Sequence, residues 1–276
     1  MKINTLTTVG RPIDLRYPTN RAIAVGSLLV MFGAVILQRA AGGTWTESTL
    51  WGTQAGLSVF LAWALCRELD PDHNGSAFLA AGLCLGGLVL WGLPRLMVVF
   101  WLIVVLRVVN RTMGVPAGVL DSLGMLGLGI WLSLQGNWGY GIITSFAFFL
   151  DSRLPDRAPG QLIFALLGIA VTVAATIVGG DLLWDGGPHL GGTLIALTVS
   201  ILFLPVIRDA RSLKAVGDQT GKRLEPHRVQ AAQLIALIIG VKTAFLGGIP
   251  ALGALIPVWA AVLGASVHWL CRALMP

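Results

Sequence analysis

Apolar residues are grouped along this chain into long continuous segments, and short polar stretches separate each segment from the next. A helix needs about 20 such residues to cross the hydrocarbon core of a bilayer. The pattern therefore predicts about ten membrane-spanning helices, at residues 22–38, 50–66, 76–93, 95–110, 116–134, 138–150, 160–180, 189–207, 229–248 and 251–272. The gaps after residues 93 and 134 are so short that each flanking pair could instead form a broken helix or a re-entrant hairpin. In that case the number of spans falls to about eight.

The composition agrees with a membrane protein. Hydrophobic residues make up 55% of the chain and charged residues only 12%, and the mean hydropathy is +0.80. A soluble domain carries about 25% charged residues, and half that share cannot cover a water-facing surface. The sequence therefore excludes an ordinary soluble domain and predicts an all-α, polytopic membrane helix bundle. We expect one transmembrane domain over residues 22–272, preceded by a cytoplasmic N-terminal segment at residues 1–21.

Basic residues set the predicted orientation. The net charge is +6 and the pI is about 9.8, values that would suggest a nucleic-acid partner in a soluble protein. Here, ten spans place the lysines and arginines on the side of the N-terminus, except Arg39, Arg95 and the span residue Lys242. Because basic residues collect in cytoplasmic loops, both termini should be cytoplasmic, in a bacterial-type inner (plasma) membrane. The predicted partner is thus the lipid bilayer and not nucleic acid, and the sequence identifies no protein partner.

Charge is concentrated in the stretch CRELDPDHNG, at residues 66–75, between two apolar segments. Its acids Asp70 and Asp72 can share one cation if the backbone between them is extended. A second acidic pair, Asp151 and Asp156, follows the sixth predicted span on the same predicted side. Carboxylates suit Mg²⁺, and guanidinium groups neutralise the remaining charge of a phosphate, so we expect these four acids to ligate Mg²⁺. The corresponding phosphate-binding residues are Arg111, Arg153 and Arg157. Alternatively, these side chains only solvate the loops and fix the topology.

Asp121 is the acid placed deepest in a predicted span on this side. It lies about five residues, hence roughly 7 Å, into the helix expected to begin near Pro116. Carboxylates inside a membrane are costly and tend to mark functional sites, so we expect Asp121 to be catalytic, as a base or to position an acceptor. A helix that begins at the interface would make it only a first-turn acid favoured by the helix dipole. The histidines His73 and His227 come one to a loop, which is weak evidence for a metal site.

The order of the charged loops resembles that of the UbiA-type membrane prenyltransferases. In that family two aspartate-rich cytoplasmic loops, after spans 2 and 6, hold Mg²⁺ and an isoprenoid diphosphate. Here RELDPD (residues 67–72) follows span 2, DSRLPDRAPG (residues 151–160) follows span 6, and NRTMG (residues 110–114) lies between them. The first loop lacks the family's NDxxDxxxD spacing, so the resemblance is one of order and side and not of motif.

The expected function is therefore a Mg²⁺-dependent transferase that acts on an isoprenoid diphosphate or a similar lipid phosphate at the cytoplasmic face. Two alternatives stay open. A small-solute permease is one, because drug/metabolite-type transporters match in length and span number, although the two halves of this chain show no similarity to each other. A non-catalytic membrane subunit of a larger complex is the other.

Overall fold

The computed structural model describes residues 7–10, 13–135, 138–179 and 188–275, and this part of the chain is helical. Its ten α-helices are α1 (Pro18–Ala40), α2 (Trp45–Leu69), α3 (Asn74–Trp91), α4 (Leu96–Asn110), α5 (Val119–Leu134), α6 (Gly139–Arg153), α7 (Gln161–Gly179), α8 (Leu190–Asp209), α9 (Pro226–Ala254) and α10 (Ile256–Leu274). A short 3-10 helix follows α8. The described residues contain no β-strand, only an isolated bridge between Val216 and Arg223. The predicted all-α class is confirmed.

Several of these helices are suited to a membrane. Within the described residues, six helices are long and apolar enough to cross one, namely α1, α2, α3, α8, α9 and α10. The helices α4, α5 and α7 are also apolar but have shorter apolar stretches; α4, with 15 residues, is about 22 Å long against a hydrocarbon core of about 30 Å. The chain is thus a multi-pass membrane protein. Each of the first nine predicted spans overlaps one helix, and the last, at residues 251–272, overlaps the end of α9 and most of α10. Ten crossings and cytoplasmic termini stay predictions.

The helix ends show where the structure agrees with the sequence pattern and where it differs. The helices α3 and α4 are separate, because Gly92 takes a positive φ of 79° after α3 and the Arg95 N–H then donates to the Ala254 carbonyl at 2.9 Å. Near the C-terminus, the helical conformation of α9 is interrupted at the predicted end, residue 248, where Gly248 has a non-helical φ of 65°, and a short helical stretch then continues to Ala254. The chain therefore enters α10 only at Ile256, several residues after the predicted start of the last span.

The helices group into two compact units. Among the described residues, the first unit comprises residues 7–10, 101–179 and 209–236, apart from 136–137, and the second comprises residues 13–100, 188–208 and 237–275. In the first unit α5, α6 and α7 pack on one another; in the second, α1 packs on α2, while α10 packs on both α2 and α3.

Close contacts through glycine hold the second unit together. A Cβ at Gly56 in α2 would lie 2.7 Å from the Ser27 carbonyl oxygen of α1, and one at Gly264 in α10 would lie 2.7 Å from the Ala80 backbone nitrogen of α3. Small residues at such positions let membrane helices approach closely. In the first unit, hydroxyl groups take part in the packing, since the Trp101 indole N–H donates to Thr144 Oγ1 at 2.9 Å.

Candidate functional site

The first unit contains a buried ion pair between two residues that the sequence singled out. Arg111 directly follows α4 and has a positive φ of 51°, and Asp151 lies in the last turn of α6. The Arg111 Nε–H donates to Asp151 Oδ1 at 2.8 Å. The Asp151 side chain is fully buried and that of Arg111 is 5% exposed, so neither charge is solvated by bulk water.

Arg228, near the start of α9, completes this arrangement. Its Nη1 donates to the same Asp151 oxygen at 2.7 Å and to the Val109 carbonyl at 3.0 Å, while its Nε donates to the Pro155 carbonyl at 2.7 Å. One guanidinium therefore connects α9 to the end of α4 and to the loop after α6. Sequence reasoning counted Arg228 only among the cytoplasmic basic residues, because nothing in EPHRVQ marks it as buried.

Asp156 joins the cluster from its solvent-facing edge. Arg111 Nη1 donates to the Asp156 carbonyl at 2.5 Å and to its carboxylate Oδ2 at 3.2 Å, and the Asp156 side chain is 81% exposed. Asp156 also has a positive φ, 61°. These contacts form a cluster of two guanidinium groups and two carboxylates, from Arg111, Arg228, Asp151 and Asp156, which is formally neutral. Ion pairs of this kind hold helix ends together, and we call the arrangement a structural clamp.

This geometry bears on the predicted chemistry of Asp151 and Arg111. The Oδ1 atom of Asp151 faces two guanidinium groups, which repel a divalent cation, and this oxygen fits a counter-ion better than a Mg²⁺ ligand. Arg111 directs two of its three nitrogens at protein oxygens. Its third nitrogen, Nη2, is buried and has no hydrogen-bond partner among the described residues.

The remaining predicted residues of this unit lie outside the cluster. Arg153 and Arg157 are exposed, and the Arg153 guanidinium lies 5.6 Å from the centre of the Phe149 ring. Asp121, in the first turn of α5, accepts from Thr7 Oγ1 at 2.6 Å and from the Thr8 N–H at 2.6 Å. It thus anchors the N-terminal stretch to α5, and its catalytic role stays a prediction.

The second unit brings together a different set of ionisable groups. Residues 70–73 form the linker between α2 and α3, and in it the His73 Nδ1 lies 2.7 Å from Asp70 Oδ1. Asp70 is 8% exposed, whereas Asp72 is an exposed residue. The two acids of this loop therefore have different surroundings, although they are only two positions apart.

His268 of α10 is the residue of this cluster that sequence reasoning missed. Its ring centre is 5.2 Å from that of His73, and one ligand atom from each of Asp70, His73 and His268 lies within 4.8 Å of the other two. No sequence signal links His268 to the linker, because the contact depends on how α10 packs against α3. Sequence reasoning had paired His73 with acids only by predicted side.

The second unit also contains an apolar groove between α1 and α2. Its volume is about 380 Å³, and its lining is mostly apolar, with the hydroxyl residues Ser27 and Thr53 among the lining residues. It is lined mainly by Ile13, Ala24, Leu28 and Met31 on one side and by Thr53, Leu57 and Phe60 on the other. A mostly apolar lining of this kind is better suited to a hydrocarbon chain than to a hydrophilic solute.

No protein-family model matches the chain, and no curated protein or solved structure matches it either. Its function is therefore inferred from its own residues, namely the apolar groove and the cluster of ionisable side chains described in each unit.

Proposed function

We propose that this multi-pass membrane protein is a transferase that acts on an isoprenoid diphosphate or another lipid phosphate at the cytoplasmic face of the inner (plasma) membrane. The observation that supports this proposal is the apolar groove between α1 and α2. Phe60, at one end of the groove, is ten positions before Asp70 in the sequence, which corresponds to about 15 Å along α2. A lipid chain in the groove thus has an acidic linker at the end of the same helix.

The occupant of the groove is inferred from its lining and from its helix. The volume falls within the range of about 300–1,000 Å³ that small-molecule sites have. Only 11% of the apolar window of α1 is buried, so this helix presents most of its surface to its surroundings. In a bilayer those surroundings are hydrocarbon, and a prenyl or acyl chain is the ligand that enters such a groove without desolvating a polar group.

Mg²⁺ remains part of the proposal through the acids of the linker. Bound Mg²⁺ would neutralise charge on a diphosphate leaving group. Asp72 fits this ion because its carboxylate is exposed and provides the oxygen ligands that Mg²⁺ prefers. Asp70 offers oxygens too, although one of them is engaged with His73. Within the first unit, taken by itself, Asp151 lies between two guanidinium groups and fits Mg²⁺ poorly, and the exposed Arg153 and Arg157 are more accessible than Arg111 to a phosphate from solution.

The proposal is tested by filling the groove. Ala24→Leu adds a branched side chain to the lining of the groove, and Ala22→Leu, at an exposed position of the same helix outside the groove, is the matched control. With the full chain in nanodiscs and labelled farnesyl diphosphate as the probe, we expect Ala24→Leu to weaken binding by about tenfold or more, which is at least 1.4 kcal/mol. Ala22→Leu should bind as the wild type does.

The assay also separates a transferase from a non-catalytic lipid-binding subunit. Mg²⁺-dependent release of inorganic diphosphate that Asp72→Asn reduces, with the labelled farnesyl group recovered on an added acceptor lipid and not as farnesol, would support a transferase. Saturable binding of the lipid without turnover would instead favour a non-catalytic lipid-binding subunit. If the wild type does not bind the probe, or if the two leucine variants bind it equally, the proposed role of the groove is wrong.

A further inference from the structure

We propose that Asp70, His73 and His268 form a binding site for a first-row divalent transition-metal ion, represented by Zn²⁺. The site lies wholly within the second unit. It goes beyond the lipid substrate proposed above, because metal binding can be measured with no lipid phosphate present.

The three side chains lie close enough together to reach one metal ion after small rotations. Their ligand atoms lie within 4.8 Å of one another, and His73 Nδ1 is 2.7 Å from Asp70 Oδ1. Zinc–ligand bonds of about 2.0–2.2 Å place tetrahedral ligand atoms roughly 3.3 Å apart. Small side-chain rotations therefore bring the three atoms to a common ion without moving the helices.

The fold fixes these side chains from both directions. On one side, Asp70 ends α2 and His73 precedes α3, and the Ser76 hydroxyl donates to the His73 carbonyl at 2.7 Å. On the other side, Gly264 lets α10 approach α3 closely, and His268 follows one turn later on the same face. A Cβ at Gly75 would be 3.0 Å from His268 Nε2, so the absence of a side chain there also makes room for the ring.

A second observation points to a ligand at His268. Its Nδ1 atom is buried, and no polar atom of the described residues hydrogen-bonds to it. Buried polar atoms in native proteins almost always have a partner, and each exception calls for an explanation such as a bound ion. The nearby His73 ring and the Asp70 carboxylate are the groups with which such an ion would be shared.

The donor set defines the class of ion. Two imidazoles and one carboxylate suit Zn²⁺ and its first-row neighbours, whereas Mg²⁺ prefers a shell of oxygen atoms. Three protein ligands leave a coordination position for water or for an oxygen of a substrate, as in catalytic zinc sites. If the proposed lipid phosphate is the substrate, that position is where a phosphate oxygen would bind.

The test measures zinc on the full chain purified in detergent and stripped of metal with a chelator. We expect stoichiometric Zn²⁺ binding by calorimetry and by elemental analysis, undisturbed by a large excess of Mg²⁺. His268→Gln and Asp70→Asn should each weaken the affinity by at least about 100-fold, because changing a second-shell partner alone costs 10–100-fold. His227→Gln, an exposed histidine at the start of α9, is the matched control and should bind like the wild type.

A spectroscopic measurement on the wild type keeps the test independent of variant folding. Bound Co²⁺ should give visible ligand-field bands without a thiolate charge-transfer band, since the proposed ligands include no cysteine. Absence of stoichiometric metal, displacement by Mg²⁺, wild-type affinity in a folded His268→Gln variant or a thiolate band would each overturn the assignment. None of these results depends on whether farnesyl diphosphate binds.

Discussion

Removing the charge of Asp151 should destabilise the first unit strongly. In Asp151→Asn the side-chain volume is retained, but the two guanidinium groups that share Oδ1, at 2.8 and 2.7 Å, lose their buried counter-charge. Both arginines are at most 5% exposed, so water cannot replace the carboxylate. Removing one partner of a buried ion pair costs about 3–5 kcal/mol, a large share of a total stability of about 5–15 kcal/mol.

Asp156→Asn is the matched control within the same cluster. The chemical change is identical, but the Asp156 side chain is 81% exposed, and exposed ion pairs contribute about 0–1 kcal/mol. Asparagine also tolerates the positive φ of this position. The two variants therefore differ mainly in burial, and the expected difference between them is about 2–5 kcal/mol.

A reporter in the same helix makes the assay specific to this unit. All three native cysteines belong to the second unit, so they are first replaced by alanine. A cysteine is then placed at Ala147, which is fully buried one turn before Asp151. Its labelling by a thiol-reactive dye during heating reports when α6 becomes exposed. A loss of 3 kcal/mol should lower the midpoint by at least about 6 °C.

Two results would refute this reasoning. One is a midpoint in Asp151→Asn no lower than that in Asp156→Asn, which would mean that the cluster is solvated. The other is strict additivity of Asp151→Asn with Arg228→Met, because groups that share a buried hydrogen bond should show a coupling of about 0.5–3 kcal/mol.

Three further predictions concern single contacts. Gly264→Ala places a Cβ 2.7 Å from the α3 backbone, so it should lower the melting temperature and weaken Zn²⁺ binding. The control Gly82→Ala has open space around it and should change neither property. Thermal melts measure the first effect and calorimetry the second. Thr44→Ala removes the capping box at the start of α2 and should cost about 1 kcal/mol in denaturant unfolding. Trp101→Phe leaves the buried Thr144 hydroxyl without its 2.9 Å donor and should cost about 1–3 kcal/mol, measured by the same dye assay at Ala147.

The sequence was sufficient for the kind of fold. Apolar segments of membrane length identify helices whatever they pack against, because a backbone in hydrocarbon must satisfy its own hydrogen bonds. Helix ends were less accessible, as after Gly248, where a positive φ kinks α9 and a short helical stretch follows before α10 begins at Ile256. A glycine in an apolar sequence indicates that such a bend is allowed and not that it occurs.

The sequence also identified some of the charged residues that meet. Arg111, Asp151 and Asp156 were selected as a group because they share a predicted side, and the structure brings these three together. Their expected chemistry, phosphate and Mg²⁺ binding, stays a prediction, and the contacts observed among them are ion pairs. Residue type and side of the membrane do not distinguish a ligand site from a clamp, since both use the same charges.

Only the tertiary structure decided which distant residues complete each cluster. Arg228 reaches Asp151, and His268 reaches the linker at Asp70 and His73, through packing of helices far apart in sequence. In a soluble helix the polar face would have indicated which side is buried. In a membrane helix the lipid-facing and protein-facing sides are both apolar. The sequence therefore predicts where along a helix a side chain lies, but only the packing of the helices determines which residue it contacts.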